Sequence, residues 1–153
     1  MKEKQNDRYN TPDFVFEQLN SIYNFTLDAC ASHNSNKCSK YFTIEDNSLL
    51  KSWGKDRVFC NPPFSRKDEF VLKAVSEIKK GCPIIVMILP LNSLSSAVVY
   101  DEIVGKFHYE VLRQRISFLD DITKKPVTGN PTGTFIVYFK NPIRTKKLTG
   151  SQV

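Results

Sequence analysis

Hydrophobic positions change their spacing several times along the chain, and each change marks an element. Thr11-Pro12-Asp13 joins a hydroxyl, a proline suited to a first helical position and an acid for the first turn, which predicts a helix running to about Tyr23. Phe25 to Cys30 alternates in the manner of a strand that ends at Asp28 or just beyond, and the polar stretch Ser32 to Lys37 predicts a loop. A short apolar run, Arg57-Val58-Phe59-Cys60, predicts a second strand. Ser65 is placed to cap a second helix with Asp68 reaching back, while Phe70, Val71, Ala74, Val75 and Ile78 form its apolar stripe and Gly81 ends it. Pro83 then opens Ile84-Ile85-Val86-Met87-Ile88-Leu89, an uninterrupted apolar run of the kind that forms a central parallel strand covered on both faces. A helical segment over 95–105 comes next. Phe107 to Phe118 and Thr134 to Phe139, on either side of the turn Gly129-Asn130-Pro131-Thr132-Gly133, read as a two-stranded ribbon completing the sheet. Alternating strands and helices predict an α/β fold, with neither internal repeats nor a low-complexity linker.

Composition limits the size of this fold. A chain of 153 residues, 41% of them hydrophobic, can bury one sizeable core but not two, so residues 1–153 are expected to form a single domain with flexible termini at 1–7 and 144–153. No apolar run reaches membrane-spanning length and Met1 to Asn6 leads into no hydrophobic stretch, so the expected compartment is the cytoplasm. Cys30, Cys38, Cys60 and Cys82 form no Cys-x-x-Cys pair, which argues against a metal site and for reduced, mostly buried thiols. His33 and His108 have no partner at catalytic spacing and read as surface or loop residues.

Charge is distributed unevenly. Residues 1–103 carry 13 basic and 13 acidic side chains while 104–153 carry 9 and 3, so the whole net charge of +6 lies in the last third. That third is expected to face phosphate through Arg113, Arg115, Lys124, Lys125, Lys140, Arg144, Lys146 and Lys147, with DNA or another nucleic acid as partner.

The most informative residues are Asn61-Pro62-Pro63-Phe64, at the end of the second predicted strand. The exocyclic amine of adenine or cytosine is a poor nucleophile because its lone pair is delocalised into the ring. Hydrogen-bond acceptors localise that pair: the Asn61 carboxamide oxygen and the Pro62 carbonyl can accept both N–H protons and oppose the positive charge that develops on nitrogen. Pro62 and Pro63 fix φ and bias their neighbours to extended conformations, which keeps the carbonyls out of helix or ladder bonding. Phe64 supplies a face on which a flipped base can stack, worth roughly 1–3 kcal/mol. The pattern points to methyl transfer onto an amine; a plain proline-rich turn between strand and helix is the alternative.

The order Thr11-Pro12, then Leu27-Asp28-Ala29-Cys30-Ala31-Ser32, then Cys38 to Leu49 with Trp53, then Asn61-Pro62-Pro63-Phe64 resembles the phage DNA N6-adenine methyltransferases, the Dam-like family, over roughly residues 8–140. The resemblance implies S-adenosylmethionine as methyl donor and a minimal Rossmann-like methyltransferase sheet, mostly parallel with a reversed terminal strand. It also implies roles: Thr11 and Pro12 bordering the methionine end of the cofactor, Asp28 with Ala29 at the first strand's carboxyl end holding its ammonium, and Glu45 or Asp46 contacting ribose, adenine or the target base. Trp53 is read as core in preference to a cofactor-stacking residue.

Two features depart from the pattern. Ala29-Cys30-Ala31-Ser32 replaces a glycine-rich loop, and Asp28 and Cys60 lie only 32 positions apart, short for two strand–helix units, so a ribose-binding strand is expected to be truncated. No room remains for a large target-recognition domain, which leaves sequence readout to loops such as 120–133 or to a second subunit of a homodimer. The overall reading is methylation of the N6 of adenine in DNA without a metal. N4-cytosine methylation, methylation of adenine in RNA or of a protein glutamine, and a catalytically idle DNA-binding module remain as alternatives.

Overall fold

The computed structural model describes residues 9–113, 116–127 and 133–140. A five-stranded sheet dominates them, in the order β2 (Leu27–Asp28), β3 (Arg57–Cys60), β4 (Ile84–Pro90), β7 (Thr134–Lys140) and β5 (His108–Val111). β2, β3 and β4 pair in parallel, whereas β7 runs antiparallel to both β4 and β5, so the sheet is mixed. The reversed strand is last in the chain among the described residues yet lies inside the sheet, between β4 and β5.

Burial explains the arrangement. Along β4, Ile85, Met87 and Leu89 enter one core cluster and Ile84, Val86 and Ile88 the other, so both faces are covered, as the unbroken apolar run predicts. The first cluster takes Phe70, Val71, Ala74, Val75 and Ile78 from α2 (Lys67–Lys79) and Val99 and Ile103 from α3 (Ala97–Ile103). Val15, Phe16 and Leu19 of α1 (Asp13–Tyr23) close the second. Gly81 takes φ 107° just beyond α2, a conformation that ends the helix where expected. Trp53 is a core residue, with its indole N–H directed at Ser48.

Local differences from the sequence reading have identifiable causes. Thr11 does not cap α1: the helix begins one residue later than expected, which puts Pro12 at the capping position with no side chain to cap it and leaves the Thr11 hydroxyl to Asn61. Ser65 likewise does not cap α2. A 3-10 turn over Phe64–Arg66, closed by Arg66 N–H to the Pro63 carbonyl at 2.9 Å, places Ser65 inside the turn and makes Arg66 the uncapped first position. The first strand covers only Leu27–Asp28, and the segment that would continue the sheet beyond it contributes a single bridge, Asp28 to Tyr41, in place of a strand. The expected ribbon is shorter than its apolar pattern. β5 ends at Val111, and the chain then crosses to form β6 (Leu119–Asp120), which pairs with β1 (Tyr9–Asn10) in a separate two-stranded sheet. Arg115, Arg144, Lys146, Lys147, most of the 129–133 turn and the expected flexible termini lie outside the described residues.

Candidate active site

Strands β2 and β3 end side by side, and the segments leaving their carboxyl ends build the site. Asn61 comes directly after β3, and its carboxamide nitrogen donates to the Tyr9 carbonyl at 3.2 Å and the Thr11 hydroxyl at 3.1 Å. A carbonyl can only accept, so the nitrogen of this amide must be the atom that faces Tyr9. With both protons committed, Oδ1 is the group Asn61 can offer to a donor such as an amine. Pro62 is buried and Pro63 half-buried behind it.

Phe64 stands half-buried at the corner of three rings. Its centroid is 6.4 Å from Tyr9 and 6.2 Å from Phe118, both nearly perpendicular, and Tyr9 and Phe118 lie stacked at 6.5 Å. The short β1–β6 pairing brings Tyr9 and Phe118 together, so this aromatic corner depends on a contact between segments far apart in the chain.

Beside the corner lies a cavity of about 620 Å³, within the range of about 300–1,000 Å³ usual for small-molecule sites. Ala29, Ala31, Phe42, Leu49 and Phe70 give it apolar walls, and Ser32, Thr43, Glu45 and Asn61 polar ones. His33 is an exposed loop residue, as the sequence reading has it, and it also lines this cavity, with its ring 6.2 Å from Tyr41. A narrow notch adjoins the cavity, lined by Asn10, Thr11, Asp28, Lys37 and Asn61 among others. Thr11, Asp28, Ala29, Glu45 and Asn61 are therefore gathered at one end of the sheet, as the sequence implied.

The acids differ in state. Asp28 is 3% exposed; its two oxygens accept the N–H of Cys30 at 3.2 Å and of Lys37 at 2.9 Å, which folds the 29–37 loop over the strand end. Burial pushes its carboxyl up to about 6, against the opposing pull of those two N–H groups and of the Lys37 charge. Asp46 is exposed and does not line the cavity; it accepts the Thr43 N–H at 2.8 Å and holds a 3-10 turn, and that bond keeps its carboxyl below the ordinary range. Glu45 does line the cavity, and a hydrogen bond from the Thr43 hydroxyl at 2.8 Å lowers its carboxyl.

Among the basic residues, Arg113, Lys124 and Lys125 are all exposed, and Lys124 bonds the Asn34 carbonyl at 2.9 Å. Sequence reasoning missed Asp121. Its Oδ1 accepts from the Asn10 amide and the Ser32 hydroxyl, each at 2.8 Å, and Lys124 lies 3.6 Å away. Burial would raise this carboxyl, but the Asn10 and Ser32 bonds and the Lys124 charge outweigh it and hold it low. No group of metal-binding side chains occurs among the described residues, and no helix there is long and apolar enough to cross a membrane.

The chain is similar to known proteins over most of its length. A family profile described as "DNA N-6-adenine-methyltransferase (Dam)" matches residues 1–152. The chain is 32% identical to the DNA N-6-adenine-methyltransferase of Escherichia phage T1 over 149 residues, covering 85% of this chain and 61% of that protein. It is 29% identical to the protein of the same name from Haemophilus phage HP1 (strain HP1c1) over 143 residues, covering 91% of this chain and 82% of the relative. The chain thus spans less than two thirds of the phage T1 relative's length.

Proposed function

The chain belongs to the DNA N-6-adenine-methyltransferase family, and from that premise we propose that it transfers a methyl group from S-adenosylmethionine to the N6 amine of adenine in DNA. The bonding of Asn61 carries this reading. Its amide is clamped through nitrogen by Tyr9 and Thr11, which aims the oxygen as an acceptor without any reorganisation when the amine arrives.

When bound, the donor supplies an electrophilic methyl on a positively charged sulfur. Asn61 Oδ1 would accept one N6–H and the Pro62 carbonyl the other, which would draw the nitrogen lone pair out of the ring and oppose the charge that grows on nitrogen as the bond from methyl to sulfur breaks; the demethylated thioether would leave and one N6 proton would pass to solvent. Phe64, with Tyr9 and Phe118 at its edges, receives the flipped base. The cavity of about 620 Å³ suits the donor: apolar walls for its adenine ring and methylene groups, and Glu45 at hand for its ribose hydroxyls. Thr11, Pro12, Asp28 and Ala29 border its amino-acid end, where Asp28 shapes the surrounding loop. Asp46 acts from outside the cavity by holding the Thr43 turn. Arg113, Lys125 and the basic tail meet the DNA backbone. A single reversed strand within an otherwise co-directional sheet supports a Rossmann-like methyltransferase fold. The phage origin of the relatives supports a phage- or prophage-borne enzyme acting in the bacterial cytoplasm.

Incubation with labelled donor and DNA, then nucleoside analysis, tests the proposal. Label in N6-methyladenine is expected, and Asn61→Ala should abolish it while donor affinity stays within about tenfold, because the lost interaction belongs mainly to the transition state. Label in N4-methylcytosine would reassign the substrate. Absence of both label transfer and saturable donor binding would mark a catalytically idle DNA-binding module.

A further inference from the structure

We infer that Asp121 is a positioning residue for methyl transfer, tying the loop that lines the large cavity to the segment that aims Asn61. This rests on the reading that the cavity takes the donor and that Asn61 holds the target amine.

One oxygen of Asp121, itself at the cavity wall, accepts bonds from two separate segments that line the site. The Ser32 hydroxyl, 89 positions away in sequence, approaches from the 29–37 loop at 2.8 Å. The Asn10 amide, 111 positions away, approaches from β1 at 2.8 Å. Bonds to an ionised carboxylate are shorter and about twice as strong as neutral ones, so this oxygen is a firm junction. Lys124 reinforces it, lying 3.6 Å from the same oxygen while bonding the Asn34 carbonyl of the same loop.

The Asn10 side leads directly to the reacting group. Its neighbours Tyr9 and Thr11 hold the Asn61 amide, and the Tyr9 ring packs against Phe64 and Phe118. The other side leads to the donor, since Ser32 and His33 line the large cavity. A ligand that settles against the 29–37 loop therefore bears on the carboxylate that fixes β1, and β1 fixes Asn61. Donor and DNA are accordingly expected to tighten each other's binding by the same factor.

The test uses the full chain, S-adenosylhomocysteine as a non-reacting donor probe, and a DNA duplex that the unaltered protein methylates. The probe is expected to tighten DNA binding by about fivefold or more in the unaltered protein, the lower end of ordinary coupling. Asp121→Ala should bring that factor to within about twofold of unity and slow single-turnover methyl transfer at saturating donor by about tenfold or more, as misplacement of a reacting group does. Asp121→Asn, which keeps an acceptor oxygen, should restore the rate to within about threefold. Ser32→Ala leaves both backbone bonds between Ser32 and Ser35 in place, so the loop stays formed, and should lose the coupling as Asp121→Ala does. Retention of full coupling in Ser32→Ala, or of the full rate in Asp121→Ala, would overturn the assignment. An unaltered protein that binds no donor and labels no DNA would overturn the underlying functional reading, an outcome distinguishable from either.

Discussion

Replacing Thr11 with valine removes one hydroxyl from the site and little else. Thr11 is 2% exposed, and valine matches its shape, so the packing around it is kept. The hydroxyl oxygen accepts the Asn61 amide at 3.1 Å; in its place a methyl would leave that half-buried N–H without its partner. An unpaired buried donor costs about 1–3 kcal/mol. The bond to the Tyr9 carbonyl at 3.2 Å survives, which restrains the amide and favours the lower half of that range. At about 1.4 kcal/mol per factor of ten, single-turnover methyl transfer should fall by about tenfold, with donor affinity changed by less than about twofold. Thr11→Ser keeps the hydroxyl and should stay within about threefold of the unaltered rate. The assay is label transfer to DNA under saturating donor, alongside a donor titration and a thermal melt to confirm folding. An unchanged rate in Thr11→Val would refute the clamp. A weakened donor affinity at unchanged rate would instead assign the hydroxyl to the amino-acid end of the donor, the role the sequence resemblance implies.

Phe64→Ala should weaken engagement of the base by about 1–3 kcal/mol, raising the Michaelis constant for DNA while donor binding holds; unchanged DNA kinetics would count against stacking. Asp28 titrates near 6 in the fold against 3.8 for an ordinary aspartate, so its folded carboxyl is raised, and its contribution to stability is fully present below about pH 4 and lost as pH rises through about 6. The loss amounts to about 3 kcal/mol. Relative to Asp28→Asn, the unaltered protein should therefore lose about that much stability between pH 4 and 7.5 in denaturant titrations, and parallel pH profiles would contradict the burial argument. If about six basic side chains meet phosphates, the logarithm of DNA affinity should fall against the logarithm of salt concentration with a slope of about −5; a flat response would remove the basic third from the interface.

What the sequence discloses depends on how local its cause is. Ile84 to Leu89 is legible as a central strand because burial on both faces demands an unbroken apolar run, and the α2 stripe is legible because one face of that helix meets one core. The place of Asn61 and Phe64 at a strand end is legible because the apolar run Arg57 to Cys60 stops where the two prolines begin; their part in the chemistry is the proposal above. Thr11 is misread as a cap because the helix begins one residue later than expected, which puts Pro12 at the capping position and leaves the Thr11 hydroxyl to Asn61, 50 positions away. Phe107 to Phe118 is read too long as a strand: His108 to Val111 pair with β7 as expected, while Ile116 and Phe118 are apolar because they enter the second core cluster, not because the strand continues. Asp121 is invisible because an acid in a polar turn looks solvated until the fold brings Ser32 and Asn10 to it. His33 lacks a sequence partner because the groups it faces across the cavity come from the 43–49 segment.

The identity of residue 61 and the course of β1 constrain one another. A carboxylate at 61 would meet the Tyr9 carbonyl oxygen with no proton between them, a repulsion that would turn the side chain away or raise its pKa until it held a proton. The carboxamide removes that conflict, because its nitrogen satisfies the carbonyl and its oxygen is left for the amine. Neutrality also suits the donor's neighbourhood: an uncharged acceptor polarises the amine without forming an ion pair with the sulfonium that would stabilise the ground state as much as the transition state. In the proposed transfer orientation replaces charge as the source of catalysis, and orientation is what Tyr9, Thr11 and the Asn10–Asp121–Ser32 junction would provide. The short β1–β6 sheet, marginal as secondary structure, is thereby tied to the proposed chemistry: it carries the residues that hold the amide whose oxygen would accept the amine.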